Sequence, residues 1–329
     1  MSPHTFTIGH TTAALGAIAG GTLAVPAHHD QPGTAIPFTI VHGIEPGPVL
    51  LLVAGVHAME YAPIIALQRL RTAIDPRTLR GTVIMVHVAN MPMFFGRRVY
   101  YSPVDGQNLN RVFPGKPDGT LSERIADVLT REVIALATHV LDLHGGDGNE
   151  SLRPFSYWVT TGDPAVAQAS RAMALAFGLD HIVVDHARPT DPAASMYLSN
   201  TAITRGKPAV TTETGGLGQV EEDAVALTER GVAGVMRHLG MRADGPEPVT
   251  NPKWISSDVV LRAGTSGIFY AAVEPEQLVA KGALLGHITD FHGHTVEDFH
   301  APFDGEVMYV IGTPPITKGE PVVMVGSER

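Results

Sequence analysis

Val49-Leu-Leu-Leu-Val-Ala-Gly-Val-His-Ala-Met-Glu60 opens with six unbroken apolar residues, breaks at a glycine and ends on two side chains able to bind a metal. An apolar run with no alternation is the pattern of a strand buried on both faces of a parallel sheet. Beyond it Ile64, Leu67, Leu70 and Ile74 recur at helical spacing with arginines between, which predicts a helix over Glu60 to Ile74. Thr82-Val-Ile-Met-Val-His-Val88 then reads as the next strand, completing a βαβ unit. The alternation continues with helices over Leu121 to Leu136, Ala165 to Phe177 and Glu221 to Leu239, and strands at Val140 to Leu143 and Ala209 to Thr212. The fold class is α/β, a mainly parallel or mixed sheet sandwiched by helices.

On either side of this region the texture differs. Thr22-Leu-Ala-Val-Pro26 and Ile36-Pro-Phe-Thr-Ile-Val41 are short strand-like runs, and past Ala243-Asp-Gly-Pro-Glu-Pro248 only short strand-like pieces remain. The expected division is a β-rich N-terminal segment over 1–35, an α/β domain over 36–245 and a small all-β sandwich or barrel over 250–329. A length of 329 residues suits one large unit plus a small one.

Composition excludes several function classes. The formal net charge is -10 and no run of Lys or Arg occurs, so the attraction that nucleic acid or anionic membrane binding requires is missing. The apolar stretch from Ala13 to Val25 is too short to span a bilayer, and no Lys or Arg precedes it, so a cytoplasmic location is expected. With no cysteine, thiol nucleophiles and thiolate metal sites are ruled out, leaving His, Asp and Glu as metal ligands. The expected partner is a small molecule; self-association is left open.

His-x-x-Glu occurs three times, as His42–Glu45, His57–Glu60 and His294–Glu297. In open parallel sheets ligands sit outside the carboxyl ends of the strands. His57 and Glu60 follow the buried run Val49 to Ala54 and so fall at such an end. His42 and Glu45 precede it, and His294 and Glu297 lie in the C-terminal β region. A catalytic zinc takes three protein ligands and leaves one position for water. His144 ends the strand-like Val140-Leu-Asp-Leu143 and is the best third ligand, with Asp142 a candidate to orient it. One Zn2+ per chain is therefore expected at His57, Glu60 and His144, although manganese, cobalt or iron suits the same ligand types.

Hydrolysis by zinc-activated water needs a proton carrier, and Glu213 in Thr211-Thr-Glu-Thr-Gly-Gly216 ends another buried strand. A positive donor is wanted for the carbonyl oxygen. Arg97-Arg98 and the stretch Asp105 to Gly115 supply candidates, and in the latter Asn110 and Arg111 suit a substrate carboxylate.

Gly55-Val-His-Ala-Met-Glu60, Asn108-Leu-Asn-Arg-Val-Phe-Pro-Gly115, Asp142-Leu-His-Gly-Gly146 and Thr212-Glu-Thr-Gly-Gly216 together resemble the succinylglutamate desuccinylase/aspartoacylase family, within the zinc carboxypeptidase superfamily. The likeness is greatest to a bacterial deacylase branch that includes N-acetyl-diaminobutyrate deacetylases. Ala58 and Asn108 depart from the family pattern, where Gly and Asp are usual. The resemblance implies zinc at His57, Glu60 and His144, and Glu213 as general acid/base. It also implies Asn110 and Arg111 as substrate-carboxylate ligands, and Arg98, with Arg97 as its alternative, polarising the carbonyl. Val279 to Ile288 and Ala301 to Val307 resemble biotinyl/lipoyl carrier strands, but Thr289 to His300 lacks the Lys a carrier would modify. The expected activity is deacylation of a small N-acyl amino acid or related amide. The alternatives are a zinc carboxypeptidase and a non-catalytic zinc-dependent binding protein.

Overall fold

The computed structural model describes residues 4–328. Strands β1 (Thr5–Ile8) and β2 (Thr11–Ala14) form a small antiparallel pair. They lead into β3 (Ala17–Val25) and β4 (Thr34–His42), paired antiparallel along their full length. The βαβ unit follows as β5 (Glu45–Ala54), α1 (Tyr61–Ala73) and β6 (Arg80–Val86). After α2 (Met91–Gly96) and α3 (Leu121–Leu129) come β7 (His139–His144), β8 (Glu150–Leu152) and β9 (Phe155–Val159). The region closes with α4 (Pro164–Phe177), β10 (His181–Asp185), α5 (Leu198–Ile203), β11 (Ala209–Glu213), α6 (Glu222–His238) and β12 (Lys253–Ile255).

The large sheet has nine strands in the order β12-β10-β9-β11-β7-β5-β6-β4-β3. Its centre, β11, β7, β5 and β6, is parallel, so three of the strand-to-loop exits that follow β5, β7 and β11 open on one edge. β4 and β3 extend it antiparallel on one side, and β9 turns antiparallel to β11 on the other. The mixed sheet sandwiched by helices is the expected class. Successive residues of β5 face opposite sides: Leu51 and Val53 pack with Ile125 and Leu129 of α3 and Leu198 of α5. Leu50 and Leu52 pack with Leu67 of α1, Met173 of α4 and Val232 of α6. Each such fully buried leucine contributes about 1.5–3 kcal/mol.

Two details differ from the pattern reading. The helix predicted to reach Leu136 ends as an α-helix at Leu129 and widens into a π-helical turn over Thr130–Ile134. Lys207 Nζ reaches over from the far side of β11 to donate to the carbonyls of Ile134, Ala135 and Ala137, satisfying the end of that turn. The stretch Gly148 to Tyr157, expected from the sequence as a loop, holds β8 and most of β9, and the stretch His186 to Asn200, expected as another, runs into the first residues of α5. No helix among the described residues is long and apolar enough to cross a membrane.

The C-terminal region is all β and antiparallel: β13 (Ser257–Arg262), β14 (Gly267–Ala271), β15 (Leu278–Val279), β16 (Leu284–Thr289), β17 (Thr295–His300), β18 (Gly305–Ile311), β19 (Pro315–Ile316) and β20 (Pro321–Ser327). One sheet runs β13-β20-β18-β15 and the other β17-β16-β14-β19, around a core that includes Phe269, Leu285, Phe299 and Val323. Sheet membership crosses both expected boundaries. β3 and β12 belong to the nine-stranded sheet, while β8, from the middle of the chain, adds to the C-terminal sheet by pairing with β18.

A buried ionic cluster holds this junction. Glu306 on β18, 7% exposed, accepts from Arg153, from Lys253 Nζ at 2.9 Å and from His181 Nε2 at 3.2 Å. Burial opposes ionisation of Glu306, but the hydrogen bonds from Lys253 and Arg153 outweigh it and hold its carboxyl below the usual value. Its stabilisation is therefore complete above the unfolded carboxylate pKa and fades as pH falls through the lower folded value. Glu306→Ala, which leaves buried Arg153 only the more exposed Asp180 as counter-charge, is expected to cost about 3–5 kcal/mol in urea unfolding at neutral pH. The deficit should shrink in acid, and an unchanged midpoint would show that the cluster is energetically idle.

Candidate functional site

The parallel centre of the sheet assembles the site. Residue pairing sets Glu213 directly opposite His144, and Ala54 beside Leu143, so the last residues of β11 and β7 and the loop leaving β5 meet at one edge. The loop turns at once because Gly55 sits at φ 70°, where a Cβ would stand 3.0 Å from Val88 Cα. Glu60 is the N-cap residue of α1 but makes no capping bond. Its side chain is turned instead toward two imidazoles.

One candidate ligand atom from each of His57, Glu60 and His144 lies within 4.8 Å of the others. His57 Nδ1 is 2.9 Å from Glu60 Oε1, and His144 Nδ1 is 2.9 Å from Glu60 Oε2. Glu60 Oε2 nonetheless has no hydrogen-bond partner. The far side of each ring explains the arrangement. His57 Nε2 is 3.1 Å from Asn108 Oδ1, and His144 Nε2 is 3.0 Å from Asp142 Oδ1, so each Nε2 carries the proton and donates it outward. Two Nδ1 lone pairs then confront two carboxylate oxygens, four electron-rich atoms around one point in a buried place, which is a cradle for a cation. Burial opposes charge on His57 and His144, but the Glu60 carboxylate outweighs it and raises both. Burial would raise Glu60, yet the two imidazoles hold it low. The donor set thus fits a divalent metal, with Asp142 and Asn108 orienting the histidines.

Glu213 lines the same cavity, whose volume is about 300 Å³. No hydrogen bond from its carboxylate to another described residue is found, and burial together with the nearby Glu60 and Glu150 charges pushes it well up, against the pull of His144. Arg111 also lines the wall, its guanidinium 4.8 Å from the centre of the Tyr197 ring and bonded to the Asn110 carbonyl at 2.7 Å.

Three expected residues are not brought to the wall. Asn110 is buried behind it, its Oδ1 accepting from Leu198 N–H at 2.9 Å and its Nδ2 3.4 Å from His144 Nε2. Neighbours in the tight turn Leu109–Arg111 point different ways, so Arg111 faces the cavity and Asn110 props the scaffold. Arg98 and Arg97, expected to polarise the carbonyl or bind substrate, are exposed and line no part of the cavity. Arg97 adopts a left-handed conformation that ends the short helix α2 and carries both side chains outward.

The other His-x-x-Glu pairs have structural partners. His42 Nδ1 bonds Thr82 Oγ1 and Glu45 pairs with Arg80; His294 bonds Asp290, and Glu297 accepts from the backbone of Gly264 and Thr265. The sequence reading missed other residues of the wall, among them Tyr100, Glu150, Tyr157, Arg262 and Tyr309. Arg262 and Tyr309 arrive on C-terminal strands, and no local spacing ties them to His57.

The family model described as the succinylglutamate desuccinylase/aspartoacylase catalytic domain matches residues 46–239. The chain is 32% identical over 297 residues to the N-alpha-acetyl-L-2,4-diaminobutyric acid deacetylase of Halomonas elongata, spanning 87% of this chain and 84% of that one. Among solved structures, the product-bound ectoine utilization protein EutE (DoeB) from Ruegeria pomeroyi superposes with a TM-score of 0.82 at 29% identity over 94% of both chains. The succinylglutamate desuccinylase/aspartoacylase from Rhodobacter sphaeroides gives 0.82 at 27% identity over 95% of both.

Proposed function

Because the chain belongs to the succinylglutamate desuccinylase/aspartoacylase family, we propose that it is a zinc-dependent hydrolase removing the acyl group from a small N-acyl amino acid. The observation that carries this reading is the convergence of His57, Glu60 and His144 beside a Glu213 with no hydrogen-bond partner among the described residues, at the wall of one cavity. The Halomonas elongata relative is named for deacetylating an acetylated diamino acid, which supports the substrate class.

His57, Glu60 and His144 would hold the zinc, which when bound acidifies water and polarises the amide carbonyl. Glu213 takes the proton from the attacking water and hands it to the leaving nitrogen; its freedom from other hydrogen bonds leaves both carboxylate oxygens available. Arg111 binds the amino-acid carboxylate through its planar fork, and stacking against Tyr197 holds it in place. Asn110 fixes the start of α5 through the Leu198 N–H. Val260, Arg262 and Pro321 of the C-terminal strands bound the cavity. The similarity to a named deacetylase favours a deacylase over a carboxypeptidase.

The test is metal analysis of the purified protein, followed by turnover of N-acyl amino acids against peptides ending in the same residues. Metal without turnover of any of them would refute the reading. Arg111→Ala is expected to lower kcat/KM for N-acetyl amino acids roughly 100-fold, mostly through KM. Its effect should vanish for the matching N-acetyl amine that lacks a carboxylate, and an equal loss on both would rule out the carboxylate contact.

A further inference from the structure

Amide hydrolysis needs a hydrogen-bond donor for the carbonyl oxygen as negative charge develops on it, and no free arginine is placed to be that donor. Arg97 and Arg98 are exposed and line no part of the cavity. Among the described residues of the wall, Arg111 and Arg262 are the arginines, and there is no lysine. Arg111 is taken by the substrate carboxylate, and Arg262 is exposed and donates to the Gly319 carbonyl at 3.1 Å.

Tyr100, two residues after Arg98, is on the wall instead. It is 8% exposed, and its ring meets that of His57 edge to face with centroids 6.5 Å apart. Its backbone lies in the left-handed region at φ 56°, which a tyrosine adopts only where its surroundings impose it. Two contacts do so: Tyr100 N–H donates to Asp147 Oδ2 at 2.8 Å, and the hydroxyl donates to Glu150 Oε1 at 2.7 Å. The hydroxyl is thereby held in the cavity beside His57, whereas Glu213 is paired with His144. Burial raises the phenol pKa of Tyr100 and of Tyr157, but the charge that adds most is Glu150 for Tyr100 and Glu213 for Tyr157. Tyr157 therefore belongs to the neighbourhood of the base and Tyr100 does not.

A phenol has one proton to give. Burial pushes the Glu150 carboxyl up to about 7, with the Tyr100 hydroxyl and the Asp147 N–H offsetting part of the effect and the Asp147 and Glu60 charges adding to it. A protonated Glu150 donates to the Tyr100 oxygen, which turns the phenol proton toward the cavity. The raised phenol keeps its proton throughout, so it acts as a donor and not as an acid.

We propose that the Tyr100 hydroxyl, positioned by Glu150, is the donor that stabilises the carbonyl oxygen of the substrate in the transition state, the role expected of Arg98. This rests on the deacylase reading. Arg97 and Arg98 then take no part in the chemistry.

The experiment compares metal-loaded Tyr100→Phe with the double variant Arg97→Ala/Arg98→Ala on the best N-acyl amino acid. Tyr100→Phe should lower kcat about 100-fold, with KM within about threefold of wild type and metal content unchanged. The arginine variant should keep kcat within about threefold of wild type. A phosphonate analogue of the tetrahedral species should bind Tyr100→Phe about 100-fold more weakly than wild type, while the free amino-acid product binds both alike. Equal weakening of analogue and product would mark a structural defect and overturn the donor role. Wild-type kcat in Tyr100→Phe also overturns it, as does a 100-fold loss in the arginine variant. The arginine variant still decides for or against an arginine donor should Tyr100→Phe fail to fold. Turnover of no N-acyl amino acid by wild type overturns the deacylase reading, whereas normal turnover that Tyr100→Phe leaves intact overturns the donor role alone.

Discussion

Glu213→Gln is expected to lower kcat by roughly 10³-fold on the best substrate while leaving metal content at the wild-type value. The replacement keeps the shape of the side chain and removes only its ability to accept and return a proton. Glu213 lies opposite His144 across two paired strands, so its own backbone placement is fixed by the sheet and should survive the change. Its carboxylate has no hydrogen bond to another described residue to lose, which separates a chemical effect from a structural one. The measurement is steady-state kinetics beside metal analysis and thermal unfolding of the same preparations. Wild-type turnover by the Gln variant would remove Glu213 from the mechanism.

The second large effect concerns the metal. His144→Ala deletes one of three ligand side chains, and the expected result is loss of nearly all bound metal, from about one per chain to about a tenth or less, with turnover at background. His42→Ala and His294→Ala serve as comparisons. Each belongs to the same four-residue pattern, but one bonds Thr82 and the other Asp290, and neither lines the cavity. Both should keep their metal. A His144→Ala protein with full metal content, or a His294→Ala protein without any, would overturn the assignment.

The parts of this site that were legible in the sequence are those fixed by strand ends. The apolar runs Leu50 to Ala54 of β5, Val140-Leu141 of β7 and Ala209-Val210 of β11 mark buried central strands, and the His144 and Glu213 that end β7 and β11 announce exits from the sheet. His144 and Glu213 were readable for that reason. β9 and β10 were not: Phe155-Ser-Tyr-Trp-Val159 mixes large rings with a serine, and its pairing against β11 is settled by tertiary contact rather than by period. The arginines show a different limit. Adjacent positions in a tight turn differ in direction by most of a half-turn, so which of Asn110 and Arg111 reaches the cavity, and where Arg97 and Arg98 point, depends on dihedral angles that residue type does not reveal. Arg262 and Tyr309 were invisible because the wall they complete is closed by strand pairing across more than a hundred residues.

The pairing of β8 with β18 has an implication for how the protein can be cut or recombined. Glu150 to Leu152 begins six residues after His144, yet its backbone is hydrogen-bonded to Tyr309, Val310 and Ile311. A fragment ending before Ser257 would bare an unpaired strand edge beside its own metal ligands, inviting aggregation. Grafting a foreign C-terminal module would redraw both the floor of the cavity and the loop that shapes its entrance. Selectivity and folding are thus inherited together, and the chain should melt in a single cooperative transition.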